Sequence, residues 1–256
     1  MINTLKRDLA KGEARIGSFV TCESADMVEI MALGGFDFII IDTEHGCLTE
    51  ETTKNLVRAA EYRGITPIVR VTENTETMIL RSLDVGAHGV QVPQINTVED
   101  AELVVSSSKY TPVGNRGVAL TRAANYGLTD ANEHFKKANE ETMVVVHCEN
   151  IEGFGNLNEI LKNPHIDVVF LGTYDMSQSL GIPGQLNDPQ IQEIARSVVQ
   201  MTKQAGKSAG VYVKTPEQAK KCIEDGFQYI AYELFDTFVL TACTEAISKI
   251  KGSDIN

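Results

Sequence analysis

Short runs of β-branched and other apolar residues alternate with longer amphipathic stretches along almost the whole chain. Runs such as FDFIIID and VVVHCE are apolar at consecutive positions, which is typical of parallel strands covered on both faces by helices. This pattern predicts eight short strands. They span residues 16–21, 36–42, 67–71, 89–92, 143–149, 168–171, 208–213 and 229–232.

Amphipathic segments with helix start and stop signals follow nearly every predicted strand. Ser24 is a capping residue at the start of one segment, and Gly64 is a stop residue at the end of another. The predicted helices cover residues 24–33, 49–63, 97–107, 189–205, 216–224 and 235–250. Residues 110–129, which contain the motif VGNRG, are predicted to form a long irregular loop of the kind that often binds ligands.

The succession of eight βα units predicts the fold class. Eight units in 256 residues match an α/β protein with one (β/α)₈ TIM barrel domain that spans residues 1–256. A doubly wound open sheet is the alternative. Neither GxGxxG nor GxxxxGK[ST] follows the first predicted strand, so the usual reason to prefer an open sheet is missing.

Charge and composition narrow the set of partners. The chain has 23 Lys and Arg against 35 Asp and Glu, and its formal net charge of −12 disfavours binding to nucleic acid. No apolar run approaches the roughly 18 residues of a membrane span. The N-terminal segment MINTLKRDLAKGEARIG lacks the apolar core of a signal peptide, and the five cysteines form no CxxC motif. We therefore expect a cytoplasmic protein that binds neither nucleic acid nor membrane.

Polar residues collect where the predicted strands end. In a TIM barrel the active site lies at the C-terminal ends of the strands. The sequence DTEHG covers the end of the second strand, Arg70 lies at the end of the third, His147 and Glu149 at the end of the fifth, and residues 172–175 follow the sixth. The sequence therefore predicts a functional site at this face of the barrel.

Glu149 and Asp175 form the candidate metal site. They follow neighbouring strands, so their carboxylates can lie about one ion's width apart, which suits Mg²⁺ or Mn²⁺. The alternative is that the two are solvated loop acids. Asp175 also fits the first turn of a helix, where an acidic side chain is favoured by the helix dipole.

Other residues are candidates for proton transfer and charge stabilisation. His45 has a side chain whose ordinary pKa suits a general base, although a lone loop histidine is often a surface residue. Arg70 either stabilises an oxyanion or forms a structural ion pair. Asp84 ends a helix in the pattern ILRSLDVGAHG and either orients a histidine or has no special role. Arg116, in the GNRG turn, is a candidate contact to a carboxylate or to a neighbouring subunit, or a solvated loop residue.

Five motifs together resemble the HpcH/HpaI family of class II pyruvate-dependent aldolases. They are FDFIIIDTEHG, PIVRV, LDVGAHGVQVPQINTVEDAE, KYTPVGNRGVA and VVFLGTYDMSQSLG, and the resemblance covers about residues 16–251. It implies a (β/α)₈ barrel of the phosphoenolpyruvate/pyruvate superfamily. It also implies a homo-oligomer, commonly a hexamer, whose last helix (about residues 235–251) is exchanged between subunits.

The resemblance also implies roles for single residues. His45 corresponds to the catalytic base, Asp84 to the acid that raises its basicity, and Arg70 to the group that stabilises the transition state. Glu149 and Asp175 correspond to the ligands of a divalent cation, with Mg²⁺, Mn²⁺, Co²⁺ and Zn²⁺ all compatible. The implied substrates are a small 2-oxo acid and an aldehyde.

Two substrate-side residues depart from the family pattern. The family has glutamine where this chain has His147, so this imidazole either donates one hydrogen bond to the substrate oxo group or adds a nitrogen ligand to the metal. The family motif GPADLS corresponds here to Gly172, Thr173, Tyr174, Asp175, Met176 and Ser177, and the amides of the first four are expected to receive the substrate carboxylate. Tyr174 replaces a small residue, so the identity of the oxo acid stays open.

The leading hypothesis is a metal-dependent lyase that cleaves a 4-hydroxy-2-oxo acid to pyruvate, or a related 2-oxo acid, and an aldehyde. The first alternative is a Schiff-base aldolase that uses Lys214, which ends the seventh predicted strand. The second is a barrel that binds an organic acid with little or no turnover, because His147 and Tyr174 have altered the pocket.

Overall fold

The computed structural model of the protein describes residues 2–252. Eight parallel strands form a closed barrel in chain order, in which β8 pairs with β1. The strands are β1 (Arg15–Val20), β2 (Phe38–Asp42), β3 (Thr66–Arg70), β4 (Gly89–Val92), β5 (Met143–Cys148), β6 (Val168–Leu171), β7 (Ser208–Val213) and β8 (Tyr229–Leu234). The predicted (β/α)₈ barrel is confirmed, and the open sheet is excluded.

Helices surround the barrel and connect its strands. They are α1 (Thr4–Ala10), α2 (Ala25–Leu33), α3 (Glu50–Arg63), α4 (Glu76–Asp84), α5 (Val98–Ser108), α6 (Ala131–Glu141), α7 (Ile151–Ile160), α8 (Thr173–Ser179), α9 (Pro189–Gln204), α10 (Pro216–Glu224) and α11 (Phe235–Lys251). The predicted domain of residues 1–256 includes residue 1 and residues 253–256, which lie outside the described residues. No helix within residues 2–252 combines the length and the apolar character of a membrane span.

The predicted helix signals act as expected. Ser24 caps α2 by accepting the N–H of Met27, and Thr49 forms a reciprocal capping box with Thr52 at the start of α3. Gly64 ends α3 with a φ of 77°, a left-handed conformation that glycine adopts without strain.

Some predicted elements were wrong in extent. The predicted loop of residues 110–129 contains a 3₁₀ turn over Arg122–Gly127. The prediction ended the last strand at residue 232, whereas β8 continues to Leu234. No bounds were predicted for helix α8, although Asp175 fits the first turn of a helix; its N-cap residue is Gly172, which has no capping side chain, so the usual start signal is absent.

Two apolar layers stabilise the barrel. Ile39 and Ile41 belong to the layer between strands and helices, while Phe38 and Ile40 belong to the layer inside the barrel. This alternation follows from the two-residue period of a strand. Gly17 is required by the interior packing, since a Cβ atom there would lie 2.3 Å from the Phe38 ring.

Helix α1 packs against the interior at one end of the barrel. Its buried Leu5 and Leu9 belong to the inner apolar layer. Asn3, which caps α1, is also buried, and its side-chain amide donates to the carbonyls of His88 and Glu141 at 2.9 and 3.1 Å. These contacts close the N-terminal end of the barrel and leave the C-terminal ends of the strands as the open face, which we call the mouth.

Candidate active site at the C-terminal mouth of the barrel

The inner faces of the strands become polar at the mouth. Residues two apart on a strand share a face, so Asp42 continues the inner face of β2 beyond Ile40, and Arg70 continues that of β3 beyond Ile68. His147 continues the inner face of β5 beyond Val145 in the same way. The same residue period therefore builds both the apolar interior and the polar mouth.

Arg70 is held in place by two carboxylates and one aromatic ring. Strand register places it beside Asp42, and its Nε and Nη2 donate to the Asp42 Oδ1 and Oδ2 at 2.9 and 2.6 Å. Its Nη1 lies 3.0 Å from Glu44 Oε2, and its guanidinium carbon lies 4.7 Å from the centre of the Phe19 ring. The two bonds to Asp42 leave further N–H donors on Nη1 and Nη2 for a ligand.

His45 lies in the loop after β2 and points largely to solvent. Its side chain is 72% exposed, and its Nε2 lies 4.0 Å from Glu44 Oε2. Asp42 Oδ1 accepts the backbone N–H groups of Glu44 and His45 at 3.1 and 3.3 Å, which fixes the start of this loop. Burial raises the pKa of Glu44 despite the nearby Arg70 charge.

Glu149 is a buried carboxylate at the mouth. Its Oε1 accepts the N–H of Gln94 at 2.6 Å, and its Oε2 lies 2.6 Å from His147 Nδ1. Gln94 has a left-handed φ of 56°, a strained conformation for a residue other than glycine. Burial by itself raises the pKa of Glu149, but His147, the Gln94 N–H and the Arg70 charge outweigh it, so this pKa lies below its ordinary value.

A chain of buried side chains continues from His147 across the barrel. His147 Nε2 lies 2.8 Å from Gln91 Nε2, and the Tyr229 hydroxyl donates to Gln91 Oε1 at 2.9 Å. The His147 ring stacks on Phe170 with 5.0 Å between ring centres. Sequence reasoning missed Tyr229, although a tyrosine on a buried strand needs a partner for its hydroxyl, and this need is a usable signal.

The first turn of α8 lies directly against Glu149. Gly172 donates its N–H to the Cys148 carbonyl at 3.1 Å, and a Cβ atom on Gly172 would lie 2.9 Å from Glu149 Oε2. Thr173 and Asp175 follow in the same turn, and Asp175 is exposed. Only glycine at position 172 allows this close approach of the helix that carries Asp175.

Glu149 and Asp175 remain the candidate cation ligands. Within residues 2–252, no group of three or more His, Cys, Asp or Glu side chains is arranged to hold a metal ion. Each Glu149 oxygen has one hydrogen-bond partner and keeps a lone pair for a cation. Ionised oxygen ligands with remaining positions filled by water or substrate suit Mg²⁺ or Mn²⁺, so the donor set fits a hard divalent ion.

The structure does not bring Asp84 and His45 together. Asp84 ends α4, where its Oδ1 accepts a hydrogen bond from Arg116 Nη2 at 2.8 Å. The buried guanidinium of Arg116 lies over the Tyr110 ring, 4.8 Å from its centre. Among the hydrogen bonds of the described chain, none joins Asp84 to His45.

Lys214 lies on the other side of the mouth, directly after β7. Its Nζ lies 5.1 Å from the centre of the Tyr174 ring, and hydrogen bonding to Tyr174 raises the pKa of this lysine. Tyr174 is 41% exposed, with 6.4 Å between its ring centre and that of Tyr212. Tyr174 therefore lies beside β7.

Glu233 is a further mouth residue that the sequence did not indicate. It lies in β8 with a left-handed φ of 53°, and its Oε2 accepts the Tyr212 hydroxyl at 3.2 Å and the Leu234 N–H at 3.1 Å. The Ser18 hydroxyl donates to its carbonyl at 2.8 Å. These contacts hold a strained residue at the end of a barrel strand.

A closed parallel barrel with ionisable side chains gathered at its C-terminal mouth has the architecture of a TIM-barrel enzyme. The chain belongs to the HpcH/HpaI aldolase/citrate lyase family, whose model matches residues 15–241. This membership confirms the resemblance found in the sequence motifs.

Individual relatives agree over nearly the full chain. A 2-keto-3-deoxy-L-rhamnonate aldolase of Klebsiella pneumoniae subsp. pneumoniae is 34% identical over 241 residues, which cover 93% of this chain and 89% of the relative. The citrate synthase SbnG, for which a crystal structure is known, is 32% identical in sequence to this chain. The two structures superpose with a TM-score of 0.85 over 97% of this chain and 98% of SbnG. A family protein from Burkholderia cenocepacia J2315 is 28% identical with a TM-score of 0.92, covering 97% and 99%.

Proposed function

We propose that the protein is a divalent-metal-dependent aldolase that cleaves a 4-hydroxy-2-oxo acid to pyruvate, or a related 2-oxo acid, and an aldehyde. The observation that carries the proposal is the pairing of a buried, ionised Glu149 with the adjacent α8 turn that bears Asp175. The name of the Klebsiella relative supports the reaction class.

Glu149 and Asp175 would hold the cation, which supplies Lewis-acid polarisation of the 2-oxo group when bound. In this proposal the amides of Thr173, Tyr174 and Asp175 would receive the substrate carboxylate, whereas the expected contact from Gly172 is not available because its N–H is bonded to the Cys148 carbonyl. A 2-oxo acid has a keto oxygen next to its carboxylate, so one substrate molecule could contact the cation and the backbone amides at the same time.

His45 and Arg70 would perform the bond cleavage. An imidazole nitrogen of His45 takes the proton of the 4-hydroxyl group. The C3–C4 bond then breaks, the aldehyde forms, and the electron pair remains on the 2-oxo acid as an enolate. The N–H donors of Arg70 stabilise the negative charge on the enolate oxygen, and a proton returned to C3 completes the product.

An oligomer would explain the separation of Asp84 from His45. Asp84 is bonded to Arg116 within its own chain, so an Asp84–His45 contact would have to form between two copies. Helix α11 supports assembly, because its Leu240 and Ile250 are 66% and 78% exposed. We propose a homo-oligomer, commonly a hexamer in the family, in which α11 packs against another subunit. The five unpaired cysteines support a location in the reducing cytoplasm.

Deuterium exchange tests the function without knowledge of the aldehyde. The protein is incubated in D₂O with pyruvate, 2-oxobutyrate or oxaloacetate and with Mn²⁺ or Mg²⁺, and loss of the C3 proton signals is followed by NMR. We expect exchange that requires the cation, stops with EDTA and is lost in Asp175→Ala. The matched control is Asp225→Ala, which removes an exposed acidic side chain at the C-terminal end of α10, just before β8 and so at the opposite end of the barrel. Absence of exchange with all three acids contradicts the proposal.

A further inference from the structure

The tautomer of His147 follows from counting donors and acceptors along the buried chain. The hydroxyl of the fully buried Tyr229 donates to Gln91 Oε1 at 2.9 Å. Burial raises the pKa of Tyr229 far above its ordinary value, so the phenol keeps the proton that it donates. The amide oxygen of Gln91 therefore faces Tyr229.

This orientation of Gln91 turns its amide nitrogen toward His147. Gln91 Nε2 carries only donor hydrogens, so His147 Nε2, at 2.8 Å, must accept. A neutral imidazole with an accepting Nε2 carries its proton on Nδ1. That nitrogen lies 2.6 Å from Glu149 Oε2, which accepts the proton in a hydrogen bond.

The opposite orientation of the Gln91 amide leaves one buried hydrogen-bond donor without an acceptor. Its Nε2 would then donate to the Tyr229 hydroxyl, and the phenol proton would need another acceptor. Tyr229 is completely buried, and Gln91 is the only side chain hydrogen-bonded to it within residues 2–252. Leaving a buried donor unpaired costs free energy, so the first orientation is favoured.

We propose that Tyr229 and Gln91 fix the Nδ1–H tautomer of His147, and that His147 acts as a positioning residue for the Glu149 carboxylate instead of a metal ligand or a substrate contact. Both ring nitrogens have protein partners, so neither is free to bind a cation or a substrate. The inference rests on the proposed function in assigning Glu149 to the cation. The Tyr229–Gln91–His147–Glu149 chain is then the hydrogen-bonded support of that ligand.

The consequence for the substrate is specific. Where the family resemblance implies a glutamine that contacts the substrate oxo group, this chain has His147, whose two ring nitrogens are bonded to Gln91 and Glu149. Recognition of the oxo group would therefore depend on other groups, Arg70 and the cation among them.

Nitrogen NMR of the metal-free protein tests the tautomer directly. The chain has five histidines, and in ¹⁵N-histidine-labelled protein His147→Asn identifies the His147 signals. We expect a protonated Nδ1 and an unprotonated Nε2. Tyr229→Phe should convert this to a mixture of tautomers, because the Gln91 amide is then no longer oriented. Tyr232→Phe, on the same strand but packed against Phe238, is the matched control and should not change the spectrum. A protonated Nε2 in the native protein overturns the proposal.

Manganese affinity, measured by electron paramagnetic resonance, tests the positioning role. His147→Phe keeps a ring on Phe170 and removes both hydrogen bonds, and should weaken Mn²⁺ binding about 10- to 100-fold. His147→Asn retains an amide donor and should restore part of this affinity, while Tyr229→Phe should weaken it by roughly tenfold or less. Unchanged affinity in Tyr229→Phe and His147→Phe overturns the positioning role.

The two proposals fail in different ways. Proton exchange by the native enzyme together with a protonated Nε2 would retain the aldolase and reject the hydrogen-bond chain. The expected tautomer and Mn²⁺ effects without exchange would retain the chain and reject the aldolase.

Discussion

The guanidinium of Arg70 and the carboxylate of Asp42 meet in a two-point hydrogen bond, with Nε–Oδ1 and Nη2–Oδ2 distances of 2.9 and 2.6 Å. Lysine cannot reproduce this fork or its planar contact with Phe19. We expect Arg70→Lys to slow C3 proton exchange by about 10²–10³-fold, a magnitude typical of the loss of an oxyanion donor. The measurement is the NMR exchange rate at saturating cation.

Arg81→Lys is the matched control for this charge-conserving change. Arg81 forms an exposed ion pair with Glu50 on the outer helices, where such pairs contribute little. Equal exchange rates for Arg70→Lys and Arg81→Lys would contradict a role for the fixed guanidinium.

The separation of Asp84 from His45 gives a complementation experiment. His45→Ala and Asp84→Asn should each be nearly inactive. When the two variants are coexpressed and assemble together, roughly a quarter of the sites in random symmetric contacts combine a native His45 with a native Asp84. Recovery of activity is therefore expected in the mixture. Persistent inactivity of proven mixed oligomers would show that the two residues do not act across subunits.

Substitution of Tyr174 tests whether a tyrosine at this position, where the family has a small residue, prevents C3 proton exchange. Its ring lies near Lys214 and Tyr212, so we expect the native protein to exchange the protons of pyruvate at least as fast as Tyr174→Ala. The exchange assay is run on both, with Tyr174→Phe to separate ring from hydroxyl. An inactive native protein and an active Tyr174→Ala variant would instead favour a binding barrel.

Lys214 should form no Schiff base with the substrate. Its raised pKa keeps the amine protonated at neutral pH, and a protonated amine is not a nucleophile. Borohydride treatment in the presence of pyruvate should therefore leave the mass of the Lys214 peptide unchanged, as in Lys214→Arg. A reduced pyruvate adduct on Lys214 would overturn the metal-dependent reaction in favour of the Schiff-base alternative.

Lys109 predicts a pH dependence of stability far from the mouth. Burial and the neighbouring Lys6 lower the pKa of Lys109 from 10.5 to about 7, while its Nζ donates to the Asn139 and Thr142 carbonyls. Between pH 7 and pH 10.5 the amine of Lys109 is protonated in the unfolded chain but largely neutral in the folded one. The contribution of Lys109 to the free energy of unfolding therefore rises with pH in this range.

The free energy of unfolding of the native protein relative to Lys109→Met should therefore increase from pH 7 to pH 9, by up to about 1.4 kcal/mol per pH unit. Urea unfolding at several pH values measures this difference. Lys136→Met, which changes an exposed lysine on α6, is the control. A difference that stays constant with pH would contradict the lowered pKa.

The fold was predictable because each strand carries its own signal. Consecutive apolar residues in β2 and β5 required cover on both faces, and the closed barrel supplies it. The bounds of the short helix α8 could not be predicted, because Gly172 offers no capping side chain and only Asp175 indicated a first turn. Its position follows from the packing of Gly172 on Glu149, which is tertiary information.

The candidate site was predictable residue by residue but not in its connections. The two-residue period of a strand places His147 and Glu149 on one face, and this relationship could have been read from the sequence. The bond between Tyr229 and Gln91 joins residues 138 positions apart. It depends on closure of the barrel, so no local pattern contains it.

Helix α1 gives the barrel a closed floor, with Leu5 and Leu9 in its inner apolar layer. For the proposed cleavage, the substrate would then enter and both products would leave through the single entrance at the mouth. The aldehyde would depart first, because the 2-oxo acid is bound against the buried Glu149. A helix that touches neither product would thus contribute to the order in which they leave.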